Sequence, residues 1–138
     1  MIFVASGTQD GRGLVEYLLK QNYKVMASVV TNYGKDLLPK DENLIINDHK
    51  LDEEAMKNCL KENQIKVFVD ATHPYAVNVS KTAMQVCDEL NIPYIRYERE
   101  VTPIPAYEKL HLVKTYEEAS DLAMQLGENI FLTTGSNR

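Results

Sequence analysis

The chain is poor in cysteine: among 138 residues it holds two, Cys59 and Cys87, with no C-x-x-C pair. That excludes a disulfide framework and a thiolate metal cluster. Both thiols have apolar neighbours, Leu60 and Val86, and read as reduced core residues of a cytoplasmic protein. Positive charge is also scarce, with 15 Lys and Arg against 20 Asp and Glu and a net charge of −5. A nucleic-acid partner needs a basic face, so none is expected, although an acidic chain can still gather cations in a local anion pocket. No apolar run approaches the ~20 residues of a membrane span, so no membrane partner is expected either. The apolar start, Met1 to Ala5, lacks a basic flank and soon meets Gln9-Asp10, so no secretory signal is expected there. The three histidines show no metal-ligand spacing, and His49 and His111 read as structural. Repeats and low-complexity stretches are absent.

What remains is ordinary globular composition, 44% hydrophobic and 25% charged. A chain of this length fits one domain, residues 1–138, and buries roughly 68% of its unfolded surface without a staple.

Short apolar runs alternate with helical periodicity. Ile2 to Ala5 reads as a strand buried on both faces, followed by the glycine-rich stretch Ser6 to Gly13 and a helix over Leu14 to Leu19. Lys24 to Val30 and Leu44 to Ile46 read as the second and third strands, with a break at Thr31 to Gly34. Asp52 can cap a helix running through Asn63, with Ala55, Met56, Cys59 and Leu60 on its apolar face. Lys66 to Asp70 is the fourth strand. Ala76 to Leu90 is a helix with Val79, Ala83, Val86 and Leu90 inward, and Pro74 suits its first turn. Pro93 to Tyr97, Leu110 to Val113 and Asn129 to Thr133 read as further strands, with a helix over Glu117 to Leu126 between the last two.

This alternation implies an α/β fold, a Rossmann-like parallel sheet in the order 3-2-1-4-5 with helices on both faces. In that order the first and fourth strands are neighbours, and ligands bind in the crevice at their carboxyl ends. The last strand runs into Thr134-Gly135-Ser136 with no helix after it, which suggests the first lobe of a longer, two-lobed protein.

Two loops should meet at that crevice. The first, Gly7-Thr8-Gln9-Asp10-Gly11-Arg12-Gly13, has the strand-to-helix context of a phosphate-binding turn, in which glycines let the backbone approach a phosphate. Thr8 and Arg12 add a hydroxyl and a cation that a plain turn does not require. Val30 to Lys35 lacks the carboxylate with which an NAD site holds a ribose hydroxyl, which favours NADPH over NADH. The second loop, Asp70-Ala71-Thr72-His73-Pro74-Tyr75-Ala76, gathers an acid, a hydroxyl, an imidazole and a phenol at the switch point. His73 can donate a proton or bond an anion. Arg96 and Arg99 close the fifth strand as candidate carboxylate ligands.

Together the Gly7 to Arg12 turn, the Asp70 to Ala76 run, Tyr94-Ile95-Arg96-Tyr97-Glu98-Arg99 and Thr133 to Ser136 resemble the precorrin-6A reductase family of corrin-ring biosynthesis. The D-A-T-H-P-[YF]-A run is the specific signal, and the resemblance covers the whole chain but about half of a family member. Ser6 stands where many members have glycine. The resemblance implies two Rossmann-like lobes holding cofactor and substrate between them. It implies reduction of a macrocycle C=C bond by NADPH in precorrin-6A or its cobalt form. The substrate would be an anionic tetrapyrrole-derived ring, with Arg96, Arg99, Asp70 and Thr72 as its contacts. Gly7, Thr8, Asp10, Arg12, Thr134, Gly135 and Ser136 would serve the cofactor, and His73 and Tyr75 would orient the ring or supply a proton. A rival reading, a short-chain dehydrogenase, needs a Y-x-x-x-K pair, and Tyr17 and Lys20 stand one residue too close. A non-catalytic nucleotide-binding module is the other alternative.

Overall fold

Five of the apolar runs form one parallel sheet. The computed structural model describes residues 1–100 and 103–133. Its strands are β1 (Ile2–Ser6), β2 (Val25–Ser28), β3 (Leu44–Asn47), β4 (Val67–Ala71) and β5 (Tyr94–Arg96). They are ordered β3-β2-β1-β4-β5 and every pairing is parallel, the arrangement expected from the sequence. The intervening helices are α1 (Gln9–Lys20), the short α2 (Asn32–Asp36), α3 (Glu53–Glu62) and α4 (Val77–Leu90).

The two faces of the sheet carry separate cores, because successive side chains on a strand point to opposite sides. On one face Val15 and Leu19 of α1 pack with Val4, Ala27 and Val69. On the other, Met56 and Leu60 of α3 and Ala83, Val86 and Cys87 of α4 cover Phe3, Met26 and Phe68. Phe3, Phe68 and Tyr94 stack across β1, β4 and β5 with ring centroids 4.8 and 5.8 Å apart. Burying each such aromatic contributes about 1.5–3 kcal/mol.

The local start signals acted as the sequence implied at α3, where Asp52 Oδ1 accepts from Ala55 N at 2.8 Å. Elsewhere the boundaries moved. Helix α1 begins at Gln9, inside the glycine-rich stretch, because Thr8 caps it. Strand β2 stops at Ser28 rather than Val30, and Thr31 caps α2 where a plain break was expected. Helix α4 begins at Val77, with Pro74 in the turn before it, and its inward face carries Ser80 rather than Val79, which is 38% exposed.

The chain divides into two compact units, Met1–Val101 and Thr102–Arg138. The second has one described helix, α5 (Tyr116–Leu126), capped by Thr115. Its runs at 110–113 and 130–133 form no strand, against the sequence expectation. A strand needs a partner row of N–H and C=O groups. None is present among this unit's described residues, and Leu112, Phe131 and Leu132 stay exposed. Among the described residues no helix is long and apolar enough to cross a membrane.

Candidate functional site

Strands β1 and β4 lie side by side, with Ser6 opposite Ala71, so their carboxyl-end loops meet. The junction is a hydrogen bond: Thr8 Oγ1 donates to Ala71 O at 3.1 Å and accepts from Gly11 N at 3.0 Å. The Thr8 hydroxyl is therefore engaged in capping α1 and in tying the two loops together. Arg12 N donates to Thr8 O at 3.1 Å, the first intrahelical bond of α1. The N–H groups of Gln9 and Asp10 precede that bond, and the positive end of the helix dipole lies with them.

The glycines of this turn differ in what they do. A Cβ at Gly11 would lie 2.8 Å from Ser6 Oγ, 3.2 Å from Ser6 Cα and 3.3 Å from Ala71 Cβ. Gly11 thus lets α1 press against β1 and β4. At Gly7 a Cβ would meet nothing within 4 Å. The backbone there is exposed and open to close approach by an anionic group. Ser6 Oγ is buried without a hydrogen-bond partner beneath the first turn of α1. Ser6→Ala should therefore raise stability by about 1 kcal/mol, since it removes an unpaired buried hydroxyl; a shift of the urea midpoint measures this.

Asp70 is the last residue but one of β4 and is fully buried. Its carboxylate accepts from Thr72 N at 3.0 Å, Thr72 Oγ1 at 2.7 Å, Ser80 Oγ at 2.5 Å and Tyr94 OH at 2.6 Å. Arg96 Nη1 lies 2.7 Å from Asp70 Oδ1. Burial pushes the Asp70 pKa up, but the hydrogen bonds from Ser80, Tyr94 and Thr72 outweigh it and hold the carboxyl below its ordinary value. The same environment pushes Tyr94 up to about 12, through burial first and then the bond to Asp70.

Arg96 also donates from Nη2 to Thr72 O at 2.9 Å and from Nη1 to Thr72 Oγ1 at 3.1 Å, with Glu98 Oε2 3.4 Å from its Nε. Arg99 is 82% exposed and reaches Asp10 Oδ2 of α1 at 3.5 Å. His73 and Tyr75 are exposed, with rings 4.8 Å apart, and His73 Nδ1 accepts from Tyr75 N at 3.2 Å. A groove of about 440 Å³ runs along Gln9, Asp10, Arg12, Gly13 and Glu16 of α1 and reaches Tyr97 after β5. In the stretch after β2 that lacks a carboxylate, Lys35 is paired with Asp48 at 2.7 Å, and the Thr31 hydroxyl accepts from Gly34 N.

The fold therefore joins Gly7, Thr8, Asp10 and Arg12 with Asp70, Thr72, His73, Tyr75, Arg96 and Arg99 at one sheet edge. Thr134, Gly135 and Ser136 lie outside the described residues. Sequence reasoning missed Ser80 and Tyr94 as partners of Asp70. The signal for Ser80 was present: it lies at helical spacing from Ala76, Ala83 and Cys87, a lone hydroxyl in an apolar stripe.

A family model described as Precorrin-6x reductase CbiJ/CobK matches residues 1–138. The chain is 39% identical over 136 residues to a cobalt-precorrin-6A reductase of Priestia megaterium, covering 99% of this chain and 52% of that protein. It is 35% identical over 138 residues to the cobalt-precorrin-6A reductase of Methanococcus maripaludis, covering 97% and 54%. The chain thus spans about half the length of these curated relatives. A solved structure of a CobK precorrin-6A reductase superposes with a TM-score of 0.62 at 22% identity, over 78% of this chain and 41% of that one, which shows the shared fold. A full-length family match and relatives of this similarity, over a doubly wound sheet whose D-A-T-H-P-Y-A loop sits at the switch point, establish that the chain belongs to the precorrin-6x reductase CbiJ/CobK family.

Proposed function

We propose that the chain is the cofactor-binding lobe of an NADPH-dependent reductase acting on a C=C bond of precorrin-6A or its cobalt form. The observation that carries the reading is the Thr8 to Ala71 bond, which brings a loop open at Gly7 against the loop bearing His73 and Tyr75. Relatives named cobalt-precorrin-6A reductases support the substrate class. The remaining half of those relatives' length would supply the opposing lobe.

The residues present fit a dinucleotide. The space where a Gly7 Cβ would stand is free for a phosphate, and the N–H groups at the start of α1 face that side with Arg12 one turn on. Asp10 accepts hydroxyl protons and repels phosphate, so it suits a ribose. Thr134, Gly135 and Ser136 are assigned to the cofactor by motif alone. When bound, the reduced nicotinamide supplies a hydride to one carbon of the double bond. The chain's own residues bind and orient. Arg99 presents an exposed guanidinium for a ring carboxylate. Asp70, Thr72 and Arg96, bonded to one another, support the loop that carries His73 and Tyr75. His73 and Tyr75 hold the ring edge, and both are candidates to deliver a proton to the neighbouring carbon.

Titration of NADPH into the chain, with NADH as control, tests the cofactor reading by nicotinamide fluorescence. NADPH should bind more tightly. The reading fails if NADPH binds neither this chain nor a version extended to its relatives' length. Gly7→Val should lower NADPH affinity by about tenfold or more, roughly 1.4 kcal/mol, while the melting temperature holds. Gly7 does not have a positive φ, so the substitution brings no backbone strain.

A further inference from the structure

Among the groups at the sheet edge, Arg96 differs from its sequence reading as a free carboxylate ligand. Nη1 is held by Asp70 Oδ1 at 2.7 Å and by Thr72 Oγ1 at 3.1 Å, and Nη2 by Thr72 O at 2.9 Å. On its outward side Nε and Nη2 each lie 3.4 Å from Oε2 of the exposed Glu98. The partner carboxylate is fixed in turn by Ser80 of α4 and Tyr94 of β5, so the guanidinium is anchored to three elements.

The bond to Thr72 O has a geometric consequence. The peptide joining Thr72 to His73 is planar and trans. Turning its carbonyl toward Arg96 turns the His73 N–H to the opposite side and sets the direction in which the chain leaves β4. Beyond it, Ala76 N donates to His73 O at 2.9 Å and Tyr75 N donates to His73 Nδ1 at 3.2 Å. The exposed His73–Tyr75 pair thus hangs on a turn closed on itself at one end and clamped by Arg96 at the other.

We propose that Arg96 is a positioning residue: paired with Asp70 and bonded to the Thr72 carbonyl, it aims the His73–Tyr75 turn at the crevice rather than contacting substrate itself. The functional weight of that turn rests on the reductase reading above; the clamp does not. Lysine at this position keeps the ion pair with Asp70 but lacks the planar fork that reaches the Thr72 carbonyl at the same time.

The test compares Arg96→Lys with Ser80→Ala, each in this chain. Ser80→Ala removes a bond to Asp70 without touching Thr72. NMR follows the His73 imidazole and the Tyr75 amide, and a thermal melt reports the fold. Arg96→Lys should shift or broaden both signals with the melt still cooperative. Ser80→Ala should lower the melting temperature and leave both signals in place. Unchanged signals in Arg96→Lys, or equal changes in Ser80→Ala, overturn the clamp. In a version of the relatives' full length that reduces the corrin precursor, Arg96→Lys should lower kcat on the order of 10²-fold, the scale of an ångström-sized misplacement, with substrate KM within about twofold. A raised KM with unchanged kcat makes Arg96 a substrate ligand and overturns the proposal. Absence of turnover in the unmutated protein overturns the reductase reading alone, and the NMR comparison still decides the clamp.

Discussion

Replacing Asp70 by alanine should lower the unfolding free energy by about 3–5 kcal/mol, because it removes one partner of a buried ion pair and leaves the other charge uncompensated. The carboxylate is the shared acceptor for Thr72, Ser80, Tyr94 and Arg96. Without it those donors, drawn from the β4 loop, α4 and β5, face one another around the space the buried carboxyl had filled. For a chain of this size the melting temperature should fall by roughly 10–20 °C. Asp70→Asn keeps the volume but turns one acceptor into an NH2 facing other donors, so most of the loss should remain. A drop below about 1 kcal/mol in either variant, the scale of one ordinary hydrogen bond, would reject the network as the anchor of this edge.

The same network sets a pH dependence at both extremes. Asp70 has its pKa lowered by folding, so its contribution is full above the unfolded value near ~3.9 and is lost as pH falls through the folded value. Tyr94 is raised to about 12, so its contribution is full below the unfolded value near ~10 and is lost as pH rises through about 12. Urea melts across pH should show both limbs. Asp70→Asn should flatten the acid limb, and Tyr94→Phe the alkaline one.

Gly11→Val should cost about 3 kcal/mol, at the upper end for overpacking. The first atom of the new side chain would lie 3.2 Å from Ser6 Cα, a backbone atom of β1 that cannot swing aside, and 3.3 Å from Ala71 Cβ in β4. Gly13, two residues on, is exposed and a Cβ there meets nothing within 4 Å. Gly13→Ala should therefore stabilise by about 0.5–1 kcal/mol, the ordinary gain from removing glycine from a helix. Denaturant midpoints of the two variants should move in opposite directions. Equal shifts would mean that α1 does not depend on close approach to the sheet.

The order of elements was legible because each signal is local. Continuous apolar runs marked Ile2 to Ala5 and Lys66 to Asp70 as strands buried on both faces, and Asp52 marked the start of a helix, since a cap bonds an N–H only three residues away. Right-handed crossovers then left the order β3-β2-β1-β4-β5 as the natural solution. Leu110 to Val113 and Asn129 to Thr133 carry the same apolar signal without becoming strands among the described residues. Pairing is a property of two segments, and a run's composition says nothing of whether a partner edge is at hand.

The amino-acid order by itself determined which residues gather at the crevice: with β1 beside β4, the loops at Thr8 and His73 had to meet. It also carried the family, through the D-A-T-H-P-Y-A run. What each polar group does there was decided only in three dimensions. The Thr8 hydroxyl binds Ala71, 63 residues away, and Arg96 binds Thr72 and Asp70 across adjacent strands, so groups that read as free for ligands are partly engaged with one another. A hydrogen bond saturates its donor, and which of several chemically able partners takes it depends on ångström distances that arise only when the helices have packed.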